Sequence, residues 1–377
     1  MSGNFGMVYP LWTYPRGPAE LLDRAIGEVG LDHLTIPVVT GRIEQFRLEA
    51  PVPPHYFVSE GGWHYPPDLS CYDAGPVKPR PARWFGKRNL LAQIQEHAAK
   101  RGIPLIFRID VRSATTLLEH HPHLRSRNAW GEEVVSAGAC VLNPDLRELL
   151  HATLDDLLHY EPAGFQLADW APDLPTDRHD ARPMDWQPLT RHLLDICFCP
   201  ACRQAGTDPD AAARSVTVYL ERALENPNDE DIALKARQDE VLNAYRLAKQ
   251  RDTAAWLQRL AHTHSALRRY VLTDAASCSL VGPVLPDGSF LLLLRTSGAS
   301  HTAEENVLDV AASLEPHAHG LVLPVWRPAV AQAGDLVRQV STLVQAGASF
   351  FDFEGLDEAP AEAVTWLKQA VRFARRG

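Results

Sequence analysis

The chain has 377 residues, 45% apolar and 22% charged, which fits a globular protein long enough for one large barrel or two domains. Its net charge of −10 argues against sequence-independent nucleic-acid binding, which needs a basic face to displace counterions. The longest apolar stretches, such as Phe290–Leu294, are about five residues, too short to span a bilayer.

The opening Met-Ser-Gly-Asn-Phe-Gly-Met has no basic segment followed by an apolar core, so no signal peptide is expected. A first apolar run, Phe5–Tyr9, precedes a helical stretch at Pro18–Val29, and a second run follows at His33–Val39. Thr40–Phe85, rich in Pro, Gly and aromatics, is too long for a plain connection and reads as an insertion. Helix Asn89–Arg101, run Ile103–Asp110, helix Asp145–Tyr160 and run Gly164–Asp169 come next. A second insertion covers Trp170–Asp210, followed by a long helical region at Ala211–Arg268. Within it, Arg222–Arg251 mixes charges of both signs, as exposed helices do, and suits a contact between identical subunits. Run Arg269–Asp274 and the turn-rich link Ala275–Ser289 lead to run Phe290–Arg295 and helix Ala303–Leu314. Run Gly320–Trp326, helix Ala329–Ala346, run Ala348–Phe353 and helix Ala359–Arg375 close the chain.

Each run has the length and apolar density of a strand buried on both faces, as a parallel sheet requires. Eight such runs, all but one followed by a helix, predict a single-domain (β/α)8 barrel over residues 1–377. Both insertions follow a strand and therefore belong at the C-terminal mouth, where barrels keep their active sites. A doubly wound sheet is the competing fold, but no glycine-rich phosphate loop follows the first run.

Three thiols stand within six residues at Cys197-Phe-Cys199-Pro-Ala-Cys202. Thiolates at that spacing converge on one soft cation, and zinc takes four such ligands in a tetrahedron. The fourth ligand can come from Cys140, from Cys71 or from a histidine; the alternative is a set of ordinary buried thiols or an oxidised pair. A reduced cluster of this kind fits the cytoplasm. His120-His121-Pro122-His123 is a weaker metal tract and reads as a solvated turn.

In a barrel, the side chains that carry chemistry are polar residues at the strand ends. Here these are Tyr9 and Trp12, Thr40, Asp110, Asp169, Asp274, Arg295, Trp326, and Asp352 with Glu354, the last two on the same side of their strand by alternation. Carboxylates gathered around one mouth repel each other and are costly unless used, paired or hydrated. Asp169 leads as the catalytic candidate, with Asp352 or Glu354 as a partner across the barrel at the wider, inverting separation, or Asp110 or Asp274 as a closer one. Trp12, Tyr14, Trp63, Tyr65, Trp84, Trp130, Trp170 and Trp326 are aromatics on which sugar faces can stack. Glu60 and His64, with His55 nearby, are candidates to bind hydroxyl groups in the loop expected over the pocket. The sequence carries no Gly-x-Ser-x-Gly, P-loop or His-Glu-x-x-His, so serine hydrolase, nucleotide hydrolase and metalloprotease readings lack support.

Cys140-Val-Leu-Asn143-Pro144-Asp-Leu-Arg147 feeding a helix, with the cysteine triplet downstream, resembles the zinc-binding segments of the family 42 glycoside hydrolases, the β-galactosidases. The resemblance implies Cys140, Cys197, Cys199 and Cys202 as a closed structural zinc set and a carbohydrate or glycoside as substrate. That family's fourth strand ends in Gln-x-Asp-Asn-Glu, the glutamate being the general acid; here Gln166-Leu-Ala-Asp169-Trp170 keeps the glutamine and places Trp170 at the glutamate position. The family's seventh-strand nucleophile has no counterpart in Gly320–Trp326. These departures exclude a plain β-galactosidase and imply a more distant glycosidase-like barrel. Its rivals are a carbohydrate-binding barrel without hydrolysis and a lyase or isomerase using the same carboxylates.

Overall fold

The computed structural model describes residues 3–13, 23, 25–46, 56–134, 137–174, 190, 192–226, 229–274, 285, 290–295, 318–325, 330, 332–356, 359 and 362–376. Eight parallel strands close into a barrel: β1 (Asn4–Val8), β2 (His33–Thr40), β3 (Leu105–Ile109), β4 (Gly164–Ala168), β5 (Arg268–Asp274), β6 (Leu291–Arg295), β7 (Ala318–Pro324) and β8 (Phe350–Glu354). Each pairs with its neighbours in sequence order, and β1 closes the ring on both β2 and β8, with Phe5 opposite Phe351 and Met7 opposite Leu34. This is the (β/α)8 arrangement expected from the alternating runs.

β2 shows why these segments become strands. Leu34, Ile36 and Val38 are buried on its outer face, while His33 and Thr35 alternate onto the inner one. Pro37 cannot donate to a ladder, and the register with β3 shifts between Pro37 and Val39.

The described helices are α1 (Leu90–Ala99), α2 (Thr115–His120), α3 (Pro144–Leu157), α4 (Pro200–Ala205), α5 (Pro209–Glu225), α6 (Glu230–Gln238), α7 (Glu240–Thr263), α8 (Ala333–Gln345) and α9 (Ala363–Ala374). The single helical region expected over Ala211–Arg268 is three helices, broken where Asp229 and Asp239 cap α6 and α7 with their side chains. Of the stretch Pro18–Val29, the described part is Asp23 and a π-helical turn at Ala25–Val29; the link Ala275–Ser289, apart from Leu285, and the stretch Ala303–Leu314 lie outside the described residues.

Three excursions leave the C-terminal ends of strands. The first carries a hairpin (Ile43–Phe46 with Tyr56–Ser59) and a short strand, Gly62–Trp63, that pairs antiparallel with the end of β2. The second, from 110 to 143 between β3 and α3, was not marked by the sequence pattern as an insertion. The third begins at Asp169 and leads to the cysteine triplet; its residues 175–189 and 191 lie outside the described set.

The barrel interior is divided. Val8, Ile106, Tyr270, Leu272, Leu293, Val322 and Phe350 form an apolar cluster inside the ring, separate from the larger core between barrel and helices. His33, Thr35, Arg108, Gln166 and Asp352 form a buried polar cluster beside it, contributed by β2, β3, β4 and β8. Gly6 on β1 makes room for it, since a Cβ there would stand 2.0 Å from His33 Nε2.

Candidate functional site

Asp352 and Glu354 both point inward, as alternation along β8 requires, but to different depths. Asp352 is 0% exposed. His33 Nε2 donates to its Oδ1 at 2.8 Å, Gln166 Nε2 to its Oδ2 at 2.5 Å, and the Thr35 hydroxyl lies 3.0 and 2.9 Å from the two oxygens. Burial alone would raise its pKa, but His33, Arg108 and Gln166 outweigh that and hold the carboxyl below its ordinary range. A carboxylate so enclosed braces the barrel floor and offers no open lone pair to a ligand.

Glu354, two residues nearer the mouth, keeps a side chain that is 28% exposed. Arg108 Nη1 donates to its Oε2 at 3.2 Å, and Arg295 Nε stands 3.6 Å from the same oxygen. Against the opposing effect of burial, Arg295 and Arg108 hold Glu354 below the usual glutamate range. Arg108 is 5% exposed and joins the two levels: its Nε donates to Gln166 Oε1 at 2.9 Å, and its Nη2 lies 3.9 Å from Asp352 Oδ2 with no hydrogen-bond partner.

Asp169 follows β4 with φ at +52°, a left-handed conformation that aspartate tolerates at a cost of order 1 kcal/mol. Its N–H donates to Leu272 O at 2.8 Å, and its carbonyl accepts from Ala171 N and from the guanidinium of Arg112. Arg112 also donates to Ala139 O at 3.1 Å and Ala137 O at 3.0 Å, so one buried cation ties the excursion after β3 to the end of β4. The Asp169 carboxyl is pushed above its ordinary range, first by burial and then by the negative charge of Asp110, with Arg112 and Arg295 offsetting part of the rise. Asp110 ends β3 with its Oδ1 accepting from Ser113 N at 3.1 Å. Asp274 closes β5 opposite Arg295, and its side chain lies outside the described residues.

Of the aromatics expected to stack on sugars, Trp130 is exposed on the second excursion, and most of the other described ones are buried. Trp63 and Trp170 are sealed in the core, Trp63 Nε1 lying 3.4 Å from Thr153 Oγ1 and Trp170 stacking on Trp256 at 5.3 Å. Trp12 is nearly as buried, stacked on Phe57 and donating to Gln45 Oε1 at 2.6 Å. His64 accepts from Trp84 Nε1 on its Nδ1 at 2.9 Å, so its Nε2 carries the proton and donates to Thr40 Oγ1 at 2.7 Å. Burial depresses the His64 pKa to about 3, which keeps the ring neutral. Trp12, Trp63, His64 and Trp84 fasten the first excursion to the barrel, and Trp12, Trp63 and Trp170 present no stacking face to solvent. Glu60 faces Arg83 at 3.6 Å on the surface, while Tyr14, His55 and Trp326 lie outside the described residues.

Sequence reasoning passed over Arg108, Arg112, His33 and Thr35. The available signal was a charged or polar residue inside an otherwise apolar strand, as in Leu105-Ile-Phe-Arg108-Ile.

The second constellation is the cysteine quartet. Cys140, Cys197, Cys199 and Cys202 are all buried, with every sulfur within 4.8 Å of the others and those of Cys140 and Cys202 3.4 Å apart. Four sulfurs about 2.3 Å from one ion stand roughly 3.8 Å from each other, so the set fits a tetrahedral soft cation. Cys140 precedes α3, and Cys199 opens α4 with Pro200 in its first turn. Arg127 N lies 3.4 Å from Cys197 Sγ, while the Tyr245 hydroxyl and Lys249 Nζ donate to the Cys197 carbonyl at 2.8 and 3.1 Å. Lys249 is fully buried against Asp173 at 2.6 Å. Hydrogen bonds from the other cysteines, with Lys249 adding to them, favour the Cys197 thiolate. The quartet can hold a metal ion, and with all four positions taken by sulfur that ion would be closed to substrate.

No protein-family model matches the chain, and no curated protein sequence matches it. Solved structures do, across nearly its whole length. The α-L-fucosidase isoenzyme 2 of Paenibacillus thiaminolyticus superposes with a TM-score of 0.51 at 12% identity, covering 99% of this chain and 49% of that one. The β-galactosidase of the psychrophile Marinomonas ef1 gives 0.52 at 10% identity, covering 99% and 59%. The α-galactosidase of Lactobacillus brevis gives 0.50 at 8% identity, covering 98% and 40%. This chain therefore spans between two fifths and three fifths of those proteins, and at such identities the likeness is one of fold. Among the described residues, no helix is long and apolar enough to cross a membrane.

Proposed function

We propose that this barrel cleaves a glycosidic bond, with Asp169 as general acid and Glu354 as general base. The observation that carries the reading is the opposite push on two carboxyl groups at one mouth. Burial and Asp110 favour the protonated form of Asp169, while Arg295 and Arg108 favour ionised Glu354. Such a division is how one site runs acid and base chemistry together. Protonated Asp169 donates to the leaving oxygen, and Glu354 on the opposite strand activates water, an inverting arrangement. Asp352 acts beneath them by fixing Gln166 and Arg108. The names of the fucosidase and galactosidases sharing the fold support a sugar as the substrate class. Cys140, Cys197, Cys199 and Cys202 hold one structural zinc, and their reduced state suits the cytoplasm. The whole chain serves as one barrel domain.

A pH profile of kcat/KM on a cleaved glycoside tests the assignment. Activity falls on the acid side as Glu354 takes up a proton and on the alkaline side as Asp169 loses one. Asp110→Asn removes the like charge, lowers the Asp169 pKa and moves the alkaline limb to lower pH. An alkaline limb indifferent to Asp110→Asn removes Asp169 from the role of acid. The second reading is a carbohydrate-binding barrel without hydrolysis, favoured by the lack of any acid in Gly320–Trp326. It predicts calorimetric binding of glycans with no product.

A further inference from the structure

Far from the mouth and the cysteine quartet in the fold, three potential ligands meet where the second half of α3 passes the end of α7. His151 and Asp155 stand one helical turn apart on α3, so their side chains share a face. His264 caps the C-terminus of α7 and is 5% exposed. One ligand atom from each of the three lies within 4.8 Å of the others. The imidazoles of His151 and His264 are 5.4 Å apart between centroids, and His264 Nε2 stands 3.9 Å from Asp155 Oδ1, too far for a hydrogen bond.

His264 Nε2 is buried without a hydrogen-bond partner, a state that is costly unless something satisfies it. Phe165 of β4 packs against the ring edge at 6.1 Å, and the backbone N–H of His264 is bound to Leu260 O. The imidazole is thus held in place with one nitrogen directed at a half-buried histidine and a largely exposed carboxylate.

We propose that His151, Asp155 and His264 form a second metal site, taking one borderline divalent cation of the Zn²⁺, Co²⁺ or Ni²⁺ class. Two imidazoles and a carboxylate are ligands of the right softness for these ions, and a fourth position remains for water. Ligand atoms around such an ion stand about 3–3.5 Å apart, so a small inward rotation of Asp155 completes the set. Burial, His151 and Arg269 together outweigh the opposing Asp155 and disfavour the charged form of His264, favouring the neutral imidazole that a metal requires. Arg269 opposes a nearby cation only in part, because its Nη1 is engaged by the carbonyl oxygens of His264 and Ala261.

The site would clamp a helix pair already joined higher up. Arg147 of α3 bonds Asp252 of α7 at 2.7 Å and lies over Trp256. α3 begins beside Cys140, and α7 carries the Tyr245 and Lys249 that hold Cys197. A cation at His264 would fix the other end of the same pair.

Cobalt(II) titration of the metal-stripped full-length protein, followed by absorption, separates the two sites. Binding at the quartet gives intense thiolate-to-cobalt charge transfer in the near ultraviolet, and binding at the histidines adds visible bands without it. The expected result is about two equivalents bound by the wild type. His151→Ala and His264→Ala should each weaken the band set lacking charge transfer by more than the roughly 10–100-fold typical of losing a metal's outer-shell partner. Asp155→Asn, on an exposed side chain, tests the third ligand with little risk to folding, and persistence of the thiolate bands reports an intact quartet in every variant. Absence of the second band set in the wild type, or its survival in both histidine variants, overturns the site whatever the quartet does.

Discussion

Cys199→Ser is expected to release the metal and to lower stability by several kcal/mol, measured as metal content together with the midpoint of denaturant unfolding. The magnitude follows from what a closed tetrathiolate site contributes: structural zinc supplies apparent folding free energies of roughly 10–16 kcal/mol in small peptides, and a barrel with a large apolar core of its own depends on it less. The loss should spread beyond the ion, because Cys140 introduces α3 while Cys197 accepts from Tyr245 and Lys249 of α7. Without metal, four buried thiols and the Lys249–Asp173 pair must rearrange together. A metal-free preparation with an unchanged unfolding midpoint would sink the structural role.

Asp169→Asn should reduce turnover at least about 100-fold, the lower range for a general acid, while leaving fold and sugar binding intact. The amide is nearly isosteric and keeps the backbone bonds to Leu272, Ala171 and Arg112, but it has no acidic proton to give. Glu354→Gln should cost a comparable factor, since the amide cannot activate water. Asp352→Asn separates the bystander from the partner: it takes the carboxylate that His33, Gln166 and Thr35 enclose and leaves Arg108 with Glu354 alone, at about 3–5 kcal/mol of stability, the usual cost of breaking a buried pair. If Asp352→Asn abolished turnover in a fully stable protein and Glu354→Gln did not, the two carboxylates would have to exchange roles.

The barrel was legible because a strand buried on both faces leaves a continuous apolar run, and all eight runs are strands of the closed ring. The cysteine set was legible for a related reason, since three of its ligands lie within six residues of each other. The polar cluster inside the barrel was not. His33 and Asp352 are 319 residues apart, and nothing local in His33-Leu-Thr-Ile marks a histidine whose hydrogen-bond partner comes from the last strand. Arg112 was hidden likewise, its carbonyl partners being scattered over Ala137, Ala139 and Asp169. The aromatics misled in the other direction. A tryptophan in a long mouth loop serves equally to line a pocket or to pin the loop down, and Trp12, Trp63 and Trp170 do the second. Their composition is the same in both cases; only burial distinguishes them.

The hydrolytic claim is tested most directly by incubating the wild type and Asp169→Asn with a panel of oligosaccharides and simple glycosides, and resolving the products by chromatography. The account predicts new reducing ends from at least one substrate with the wild type, and none with Asp169→Asn, which still binds that substrate by calorimetry. Binding by both proteins with every oligosaccharide recovered intact, or equal cleavage by both, would contradict it.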